Sequence, residues 1–174
     1  MNRQEMPYAP DSKEAMPLAF YQEKFRQLDA ADISRRCCVP YDGSAGMFTL
    51  TLLGETYRIH YPDFFVEGGT TSPQEQILFL RYLVDGTLCP AGDFVTYREL
   101  PWGEVYIRQF TGRCITRLAF SYGNRQDVFC KVMEKLPAVP VKMGDVAYEL
   151  EFMPQLRIRM ILWAGDDEFP PNAQ

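Results

Sequence analysis

The chain of 174 residues has few of the residues that build catalytic triads and covalent cross-links. It contains one histidine, His60, and five cysteines without any C-x-x-C spacing. An odd number of cysteines in this arrangement fits neither a disulfide framework nor a zinc ribbon, so we interpret them as reduced thiols. A nucleophilic triad requires a base, and the single histidine is predicted on an open strand face beside threonines. The sequence therefore argues against a triad hydrolase.

The chain also lacks the short motifs of common catalytic and cofactor sites, and it lacks long apolar segments. No G-x-S-x-G, Walker A or G-x-G-x-x-G motif occurs, and we expect no cofactor. No segment approaches the roughly 20 apolar residues that span a bilayer, and the N-terminus has no apolar stretch of signal-peptide length. We therefore expect a cytoplasmic protein without a membrane partner.

The charge balance is acidic. The chain carries 18 Lys and Arg against 23 Asp and Glu, which gives a net charge of −5. Nucleic-acid affinity rests largely on clustered basic residues, and the tight basic pairs here are Arg35-Arg36 and the alternating Arg157 and Arg159. We therefore expect no nucleic-acid partner.

Hydrophobic residues make up 47% of the chain, which is typical of a globular protein with a core of its own. Residues 1–13 are polar and contain prolines, and we interpret them as a flexible N-terminal arm. Residues 14–174 are predicted to form a single α+β domain. Antiparallel hairpins at about residues 47–61 and 146–163 are expected to form a sheet that packs against a central apolar helix at about 73–85 and against further helices.

The first predicted hairpin shows the alternation of a half-buried strand. Gly54-Glu55 suits a two-residue type II′ turn with glycine at the first central position. This turn sets Phe48 opposite Tyr61 and places His60 on the polar face.

The second predicted hairpin carries charges that suit one register. With a three-residue turn at Met153-Pro154-Gln155, Glu151 stands opposite Arg157 and Glu149 opposite Arg159. Such pairs mark a solvated face, which removes both arginines from the candidate site residues. Beyond Arg159 the alternation stops, so we expect the central helix to cover the far end of this strand.

The central helix has the clearest boundaries in the chain. Ser72 is a predicted N-cap, Pro73 occupies the first helical position, Glu75 completes a capping box and Gly86 ends the helix. Its interior is apolar around most of the circumference, which indicates a helix covered on nearly every side. Arg81 interrupts that surface and is expected to reach water or a carboxylate.

A further helix is predicted from one apolar stripe that ends at Gly123. Its members recur at the spacing of an α-helix: Ile107, Phe110, Cys114, Leu118 and Tyr122. Cys114 is accordingly interpreted as a small core residue.

Five segments carry a family resemblance. They are "FTLTLLGETYRI", "ILFLRYLVDGT", "VTYRELPWGEVY", "PVKMGDVAYELEFMP" and "ILWAGDDEFP". In this order and spacing they resemble the prokaryotic family known as domain of unknown function 3786, over about residues 14–171. The resemblance implies a fold but no reaction. Some relatives are labelled iron–sulfur proteins because of an added cysteine motif, which this chain lacks, and similar sequences tend to continue beyond the final F-P.

Three consecutive acids, Asp166, Asp167 and Glu168, follow the last predicted strand and allow three interpretations. Carboxylate oxygens are ligands for hard cations, so the acids suit a metal site of a metal-dependent, hydrolase-like enzyme. Alternatively, they pair with Arg81 or Arg98 and neutralise a fixed guanidinium charge. In the third interpretation Gly165 and Asp166 form a turn, and at least two acids are hydrated.

The segment "TYRELPWGEVY" is the second candidate site. Its rigid aromatic side chains and its arginine are typical of binding surfaces. The leading hypothesis is a non-catalytic binding or accessory module that recognises a small anionic molecule or a protein partner. The residues expected to do so are Arg81, Tyr97, Arg98 and Trp102. A homo-oligomer with Trp102 at the contact between copies is a third possibility.

Overall fold

The structure, a computed structural model, describes residues 12–68, 71–87 and 92–174. The predicted arm at residues 1–13 therefore lies outside the described residues, apart from Ser12 and Lys13. The chain divides into two compact units, residues 1–51 with 55–89, and residues 52–54 with 90–174. This division does not decide whether the units fold as one domain, so the single-domain prediction stays a prediction.

The first unit combines three helices with a four-stranded antiparallel sheet whose strands follow each other in chain order. The sheet has one strongly apolar face, and helices cover it. The elements are α1 Ser12–Gln27, α2 Ala30–Cys37, β1 Tyr41–Asp42, β2 Met47–Leu52, β3 Glu55–His60, β4 Phe65–Val66 and α3 Pro73–Asp85.

Aromatic rings fill much of the core of the first unit. Phe25 of α1 lies with its ring centroid 5.9 Å from that of Phe48 and 5.4 Å from that of Tyr61. Phe79 of α3 lies 4.8 Å from Tyr57 of β3. Edge-to-face and tilted ring pairs at these distances add to the burial of apolar area. Sheet and helices are therefore joined by aromatic contacts, as expected for a sheet packed on an apolar helix.

Helix α3 confirms the boundary signals. Its first turn forms a capping box in which Ser72 Oγ accepts the N–H of Glu75, and the Glu75 carboxylate accepts the N–H of Ser72. Pro73 occupies the first helical position, and the helix ends before Gly86. Phe79, Leu80 and Leu83 are fully buried. The helix is thus the covered element that its composition predicts.

The turn of the first hairpin differs from the prediction. It is formed by Leu53 and Gly54, which both have positive φ, rather than by Gly54 and Glu55. Two positive φ values are typical of a type I′ turn, in which glycine takes the second central position. As a result the N–H of Tyr61 donates to the carbonyl oxygen of Gly46, and the register moves by two residues. The predicted faces are retained because a shift of two preserves the pleat.

The second unit has its own four-stranded antiparallel sheet, again in chain order, with helices packed against it. Its core includes Ala119, Phe129, Met133, Leu150 and Leu162. The elements are a 3₁₀ turn Tyr97–Glu99, α4 Gly103–Phe110, a π-helical turn Thr111–Ile115, α5 Thr116–Tyr122, α6 Gln126–Met133, β5 Ala138–Val141, β6 Val146–Met153, β7 Leu156–Trp163 and β8 Asn172–Ala173.

Helix α4, the π-helical turn and α5 form one continuous rod, and the π-helical turn corrects the predicted stripe. A turn of this kind accommodates one extra residue, so side chains five apart take the places that residues four apart take in an α-helix. Ile115 therefore follows Phe110 on the inward face and packs at the edge of the core. Cys114 is exposed, so its interpretation as a core residue is wrong.

The second hairpin confirms the charge register. Glu149 pairs with Arg159 and Glu151 with Arg157 across β6 and β7. The turn is tighter than predicted, because Met153 already pairs with Leu156, and a bulge lies between Glu151 and Met153.

The predicted hairpins both form, but they belong to two sheets instead of one. At the far end of β7, Leu162 clusters with Ala119 of α5 within the second unit. Cover by the central helix, which belongs to the first unit, stays a prediction. Among the helices of the described residues, none combines the length and apolar character needed to cross a membrane.

Candidate functional site

The segment before α4 folds into a tight double turn that displays its aromatic side chains. The Glu99 carboxylate accepts the N–H of Thr96 at 2.6 Å and its hydroxyl at 2.8 Å. These two bonds hold the pKa of Glu99 below its usual range. The N–H of Gly103 then donates to the carbonyl oxygen of Leu100 at 2.8 Å and closes the second turn. The start of α4 is thus fixed by local hydrogen bonds.

Trp102 lies at the N-terminal end of α4 in the left-handed region, with φ 63°. A bulky residue with positive φ is uncommon and carries backbone strain. Gly103, the next residue, is buried, and a Cβ atom there would lie 1.9 Å from the carbonyl oxygen of Tyr97. Only glycine fits this close approach, and it aligns the 3₁₀ turn against the helix. The local fold therefore holds the Trp102 backbone in one unusual conformation.

The Trp102 side chain is 77% exposed, and other large apolar side chains next to it in the chain are exposed as well. Val105 and Tyr106 follow it by three and four residues on the helix, spacings that bring side chains together. We refer to Leu100, Trp102, Val105 and Tyr106 as the Trp102 surface. An exposed group of this kind on a rigid backbone is characteristic of an interaction site.

The two other predicted site residues of this segment are both engaged. Tyr97 stacks on Phe110, with ring centroids 4.0 Å apart and planes 3° from parallel. Arg98 Nη1 donates to both carboxylate oxygens of Glu104 at 2.9 Å. Tyr97 is therefore held against α4 by its stacking on Phe110, and the charge of Arg98 is already paired.

Arg81, the fourth predicted site residue, belongs to the first unit. It is exposed, and its guanidinium carbon lies 5.7 Å from the ring centroid of Tyr21. The charge of Arg81 is therefore exposed to solvent and also makes a cation–π contact, so it is not buried on the apolar helix. Among the ion pairs of the described residues in the first unit, none joins a carboxylate to Arg81.

The terminal acids form a turn. Asp166 Oδ1 accepts the N–H groups of Phe169 at 2.7 Å and Glu168 at 2.9 Å, and the N–H of Asp166 donates to the carbonyl oxygen of Phe169. The N–H groups of Phe169 and Glu168 hold the pKa of the Asp166 carboxyl below its usual range. Asp167 is exposed. Of the three sequence interpretations, this geometry matches the turn, while the ion pair expected for Arg98 is made with Glu104 instead.

The neighbourhood of this turn is likewise held by hydrogen bonds to backbone groups. Asp145 Oδ2 accepts the N–H of Ala164 at 2.7 Å, and Asn124 Oδ1 accepts the N–H of Gly165 at 2.9 Å. Across residues 12–68, 71–87 and 92–174, no three histidine, cysteine or carboxylate side chains are grouped so as to hold a metal ion. The acidic alternative therefore lacks a visible set of ligands in this part of the molecule.

The charged face of the second hairpin is less solvated than predicted. The Glu149 carboxylate is 13% exposed and accepts Arg157 Nη1 at 2.8 Å and Arg159 Nη2 at 2.9 Å. The guanidinium carbon of Arg159 lies 3.9 Å from the ring centroid of Phe94. Arg159 and Arg157 hold the pKa of Glu149 below its usual range. The cluster joins the loop of Phe94 to the sheet and is satisfied largely from within.

The chain matches the model of a known protein family. The family described as "Domain of unknown function (DUF3786)" matches residues 29–174. The chain belongs to this family. This DUF3786 membership confirms the family predicted from the sequence motifs. No curated protein and no solved structure gave a match.

Sequence reasoning selected Trp102 as a candidate but did not identify the neighbouring residues that fix its backbone. Glu104 was not recognised as the partner of Arg98, although it lies in the first turn of α4. Gly103 was not recognised as the residue that allows the close approach to Tyr97. The W-G pair directly before an apolar and charged helix was the available signal, since glycine often marks a close backbone contact.

Proposed function

We propose that this member of the DUF3786 family is a non-catalytic binding module whose Trp102 surface docks onto a protein partner. The observation that carries the proposal is the exposed Trp102 side chain on a backbone held by Gly103. Tryptophan, tyrosine and arginine dominate the residues that contribute most to protein interfaces. A strained backbone that displays a large apolar side chain costs stability, and contact with a partner would offset that cost.

A protein partner is favoured over a small anionic ligand by the state of Arg98. Its guanidinium group already binds the Glu104 carboxylate, so an anion would have to displace that carboxylate. None of the four members of the Trp102 surface carries a charge, and Leu100 and Val105 are entirely aliphatic. Apolar area of this kind suits another protein surface better than a small charged metabolite.

The test is affinity capture from cell extract with the wild-type chain and with Trp102→Ala, analysed by quantitative mass spectrometry. We expect at least one protein to be retained by the wild type and lost with the variant. Binding of that protein, once purified, should weaken by about thirtyfold or more by calorimetry, since anchors of this type contribute about 2 kcal/mol or more.

The matched control is Phe20→Ala, which removes an aromatic side chain that is 56% exposed in the first unit. It should leave capture of the same protein unchanged, and circular dichroism should show that both variants fold. Light scattering of the wild type distinguishes a second copy of the chain as the partner. The proposal is wrong if no captured protein and no self-association depends on Trp102.

A further inference from the structure

One side of the rod formed by α4, the π-helical turn and α5 carries three arginines. Arg108, Arg113 and Arg117 are exposed. Within the part of the chain that the structure describes, none of the ion pairs and hydrogen bonds involves their guanidinium groups. The rod has one other charged side chain, the acid Glu104, and this side chain binds Arg98.

The π-helical turn places these arginines together. Arg108 lies before the π-helical turn Thr111–Ile115 and Arg113 lies within it, five residues further along the chain. Because this turn accommodates one extra residue, side chains five apart lie on the same side of the helix. Arg113 and Arg117 are four apart. The inward residues Ile107, Phe110, Ile115 and Leu118 show the same five-residue step on the opposite side, and all of them are half-buried. The arginines therefore share the outward side.

Exposed apolar side chains lie at both ends of this stripe. Val105 precedes Arg108 by three residues and belongs to the Trp102 surface, while Phe120 follows Arg117 by three residues and is 69% exposed. From Trp102 to Phe120 the rod rises by about 25 Å. The outward side is thus basic in the middle and apolar at each end.

Like charges four residues apart destabilise a helix, so this arrangement is unfavourable for the chain by itself. The structure assigns these features to one occupant: we propose that the arginine stripe and the Trp102 surface bind an acidic segment of a protein partner that carries apolar anchors near its two ends. The inference rests on the proposed function and adds the chemistry of the partner. A helix of about 17 residues or an extended segment of about eight residues matches the length of the site.

Nucleic acid would also be attracted by arginines beside aromatic side chains. A nucleic acid carries a charge at every phosphate, so a chain with a net charge of −5 repels it more strongly than a short segment with a few carboxylates, and the aliphatic side chains Leu100 and Val105 give a base no ring to stack on. A protein segment has a limited number of carboxylates together with apolar anchors. The protein segment is therefore the occupant that the surface favours.

The test measures fluorescence anisotropy of a labelled synthetic peptide of about 17 residues, the length that spans the site as a helix. The peptide has tryptophan near one end, phenylalanine near the other and glutamates between them. We expect binding that weakens about tenfold when Arg108, Arg113 and Arg117 are all changed to glutamate, because three charge contacts are reversed. Binding should also weaken as salt rises from about 50 mM to about 500 mM.

The control variant changes Lys131, Lys135 and Lys142 to glutamate. These lysines are exposed in the same unit, and their reversal alters the net charge equally. This variant should bind the peptide within about twofold of the wild type, because none of the three lysines belongs to the rod or to the Trp102 surface. Replacing the three arginines by lysine should restore most of the affinity, and circular dichroism checks folding of each variant.

Several outcomes would overturn the inference: no binding of the peptide, equal loss with both charge reversals, or tighter binding of a lysine-for-glutamate peptide or of single-stranded DNA. If capture of a protein partner depends on Trp102 but not on the arginines, the proposed function stands and only this inference is wrong. If neither Trp102→Ala nor the arginine reversal changes binding of any probe or captured protein, both proposals fail.

Discussion

Two helical regions of this protein, α3 and the rod from α4 to α5, differ in how directly their sequences determine their geometry. In α3 the capping box, the proline at the first position and the apolar interior agree, and the helix begins and ends where these signals place it. In the rod the apolar residues recur at α-helical spacing in the sequence, and this spacing does not predict the π-helical turn that interrupts the helix. Local sequence signals therefore predict where a helix begins and ends better than they predict which of its residues face inward.

The rod also shows why one extra residue is tolerated. The extra residue is accommodated by widening a single turn, so Phe110 before it contacts Tyr97 while Ile115 packs against the core of the second unit. The same insertion in α3 would turn fully buried residues such as Phe79 or Leu83 away from the core. A half-exposed helix can absorb a change of phase that a covered helix cannot.

The largest contrast is expected from deleting one residue in each helix. Deletion of Arg81 rotates Leu83 by about 100° relative to the preceding turn, which should cost about 3 kcal/mol or more through lost burial. Deletion of Gly112 should convert the π-helical turn to an α-helical turn and change the free energy of unfolding by less than about 1 kcal/mol. Urea denaturation measures both. Equal losses in the two deletions would show that the π-helical turn is required for packing.

The second contrast lies between two glycines of the rod. Gly103→Ala places a Cβ atom against the carbonyl oxygen of Tyr97, so we expect a loss of about 3 kcal/mol. A Cβ atom at Gly112 meets nothing within 4 Å, so Gly112→Ala should be neutral or stabilise by up to about 1 kcal/mol. Thermal unfolding compares the two variants. A harmless Gly103→Ala would contradict the tight turn before α4.

The third comparison tests which neighbouring side chain faces inward. Ile115→Ala should cost about 1–2 kcal/mol because Ile115 packs against the core of the second unit. Cys114→Ala should change stability by less than about 0.5 kcal/mol because Cys114 is exposed. Accessibility of Cys114 to a thiol reagent in the folded chain provides an independent reading. A larger loss of stability with Cys114→Ala than with Ile115→Ala would instead indicate an uninterrupted α-helix in which Cys114 faces inward.

The smallest effect is expected at the start of α3. Ser72→Ala removes the oxygen that accepts the N–H of Glu75 and should cost about 1 kcal/mol. Ser72→Thr is the matched control, since threonine keeps a hydroxyl oxygen and should retain most of the stability. Denaturant midpoints are sufficient to detect the difference. A neutral Ser72→Ala would mean that the capping box observed here contributes little.

The two hairpins show how much of the sheet structure was accessible from the sequence. In the second hairpin charges on one face distinguish between registers, and the predicted pairs of Glu149 and Glu151 are confirmed. In the first hairpin one face is apolar and the other has no pair of opposite charges that selects a register, so a shift by two residues leaves the alternation unchanged. The turn then decides the register, and Leu53 takes a positive φ that its residue type does not suggest. Charge patterns thus carried register information that apolar patterns did not.

The candidate site was predictable in composition but not in geometry. Aromatic residues and an arginine in one segment suggested a binding surface, and Trp102 is indeed exposed. The pairing of Arg98 with Glu104 depends on a left-handed residue between the 3₁₀ turn and α4, which no pattern of residue types encodes. The outward alignment of Arg108 and Arg113 depends on the π-helical turn in the same way. Backbone irregularities, rather than side-chain types, were the missing information.

The exposure of Trp102 has a practical consequence for anyone who studies this chain. The sequence contains two tryptophans, and the second, Trp163, is half-buried in β7. Their emission should therefore separate under a soluble quencher, with Trp102 quenched first. Shielding of that indole by any bound molecule would shift its fluorescence to shorter wavelengths, so the native protein carries an optical reporter at the surface where contact is expected.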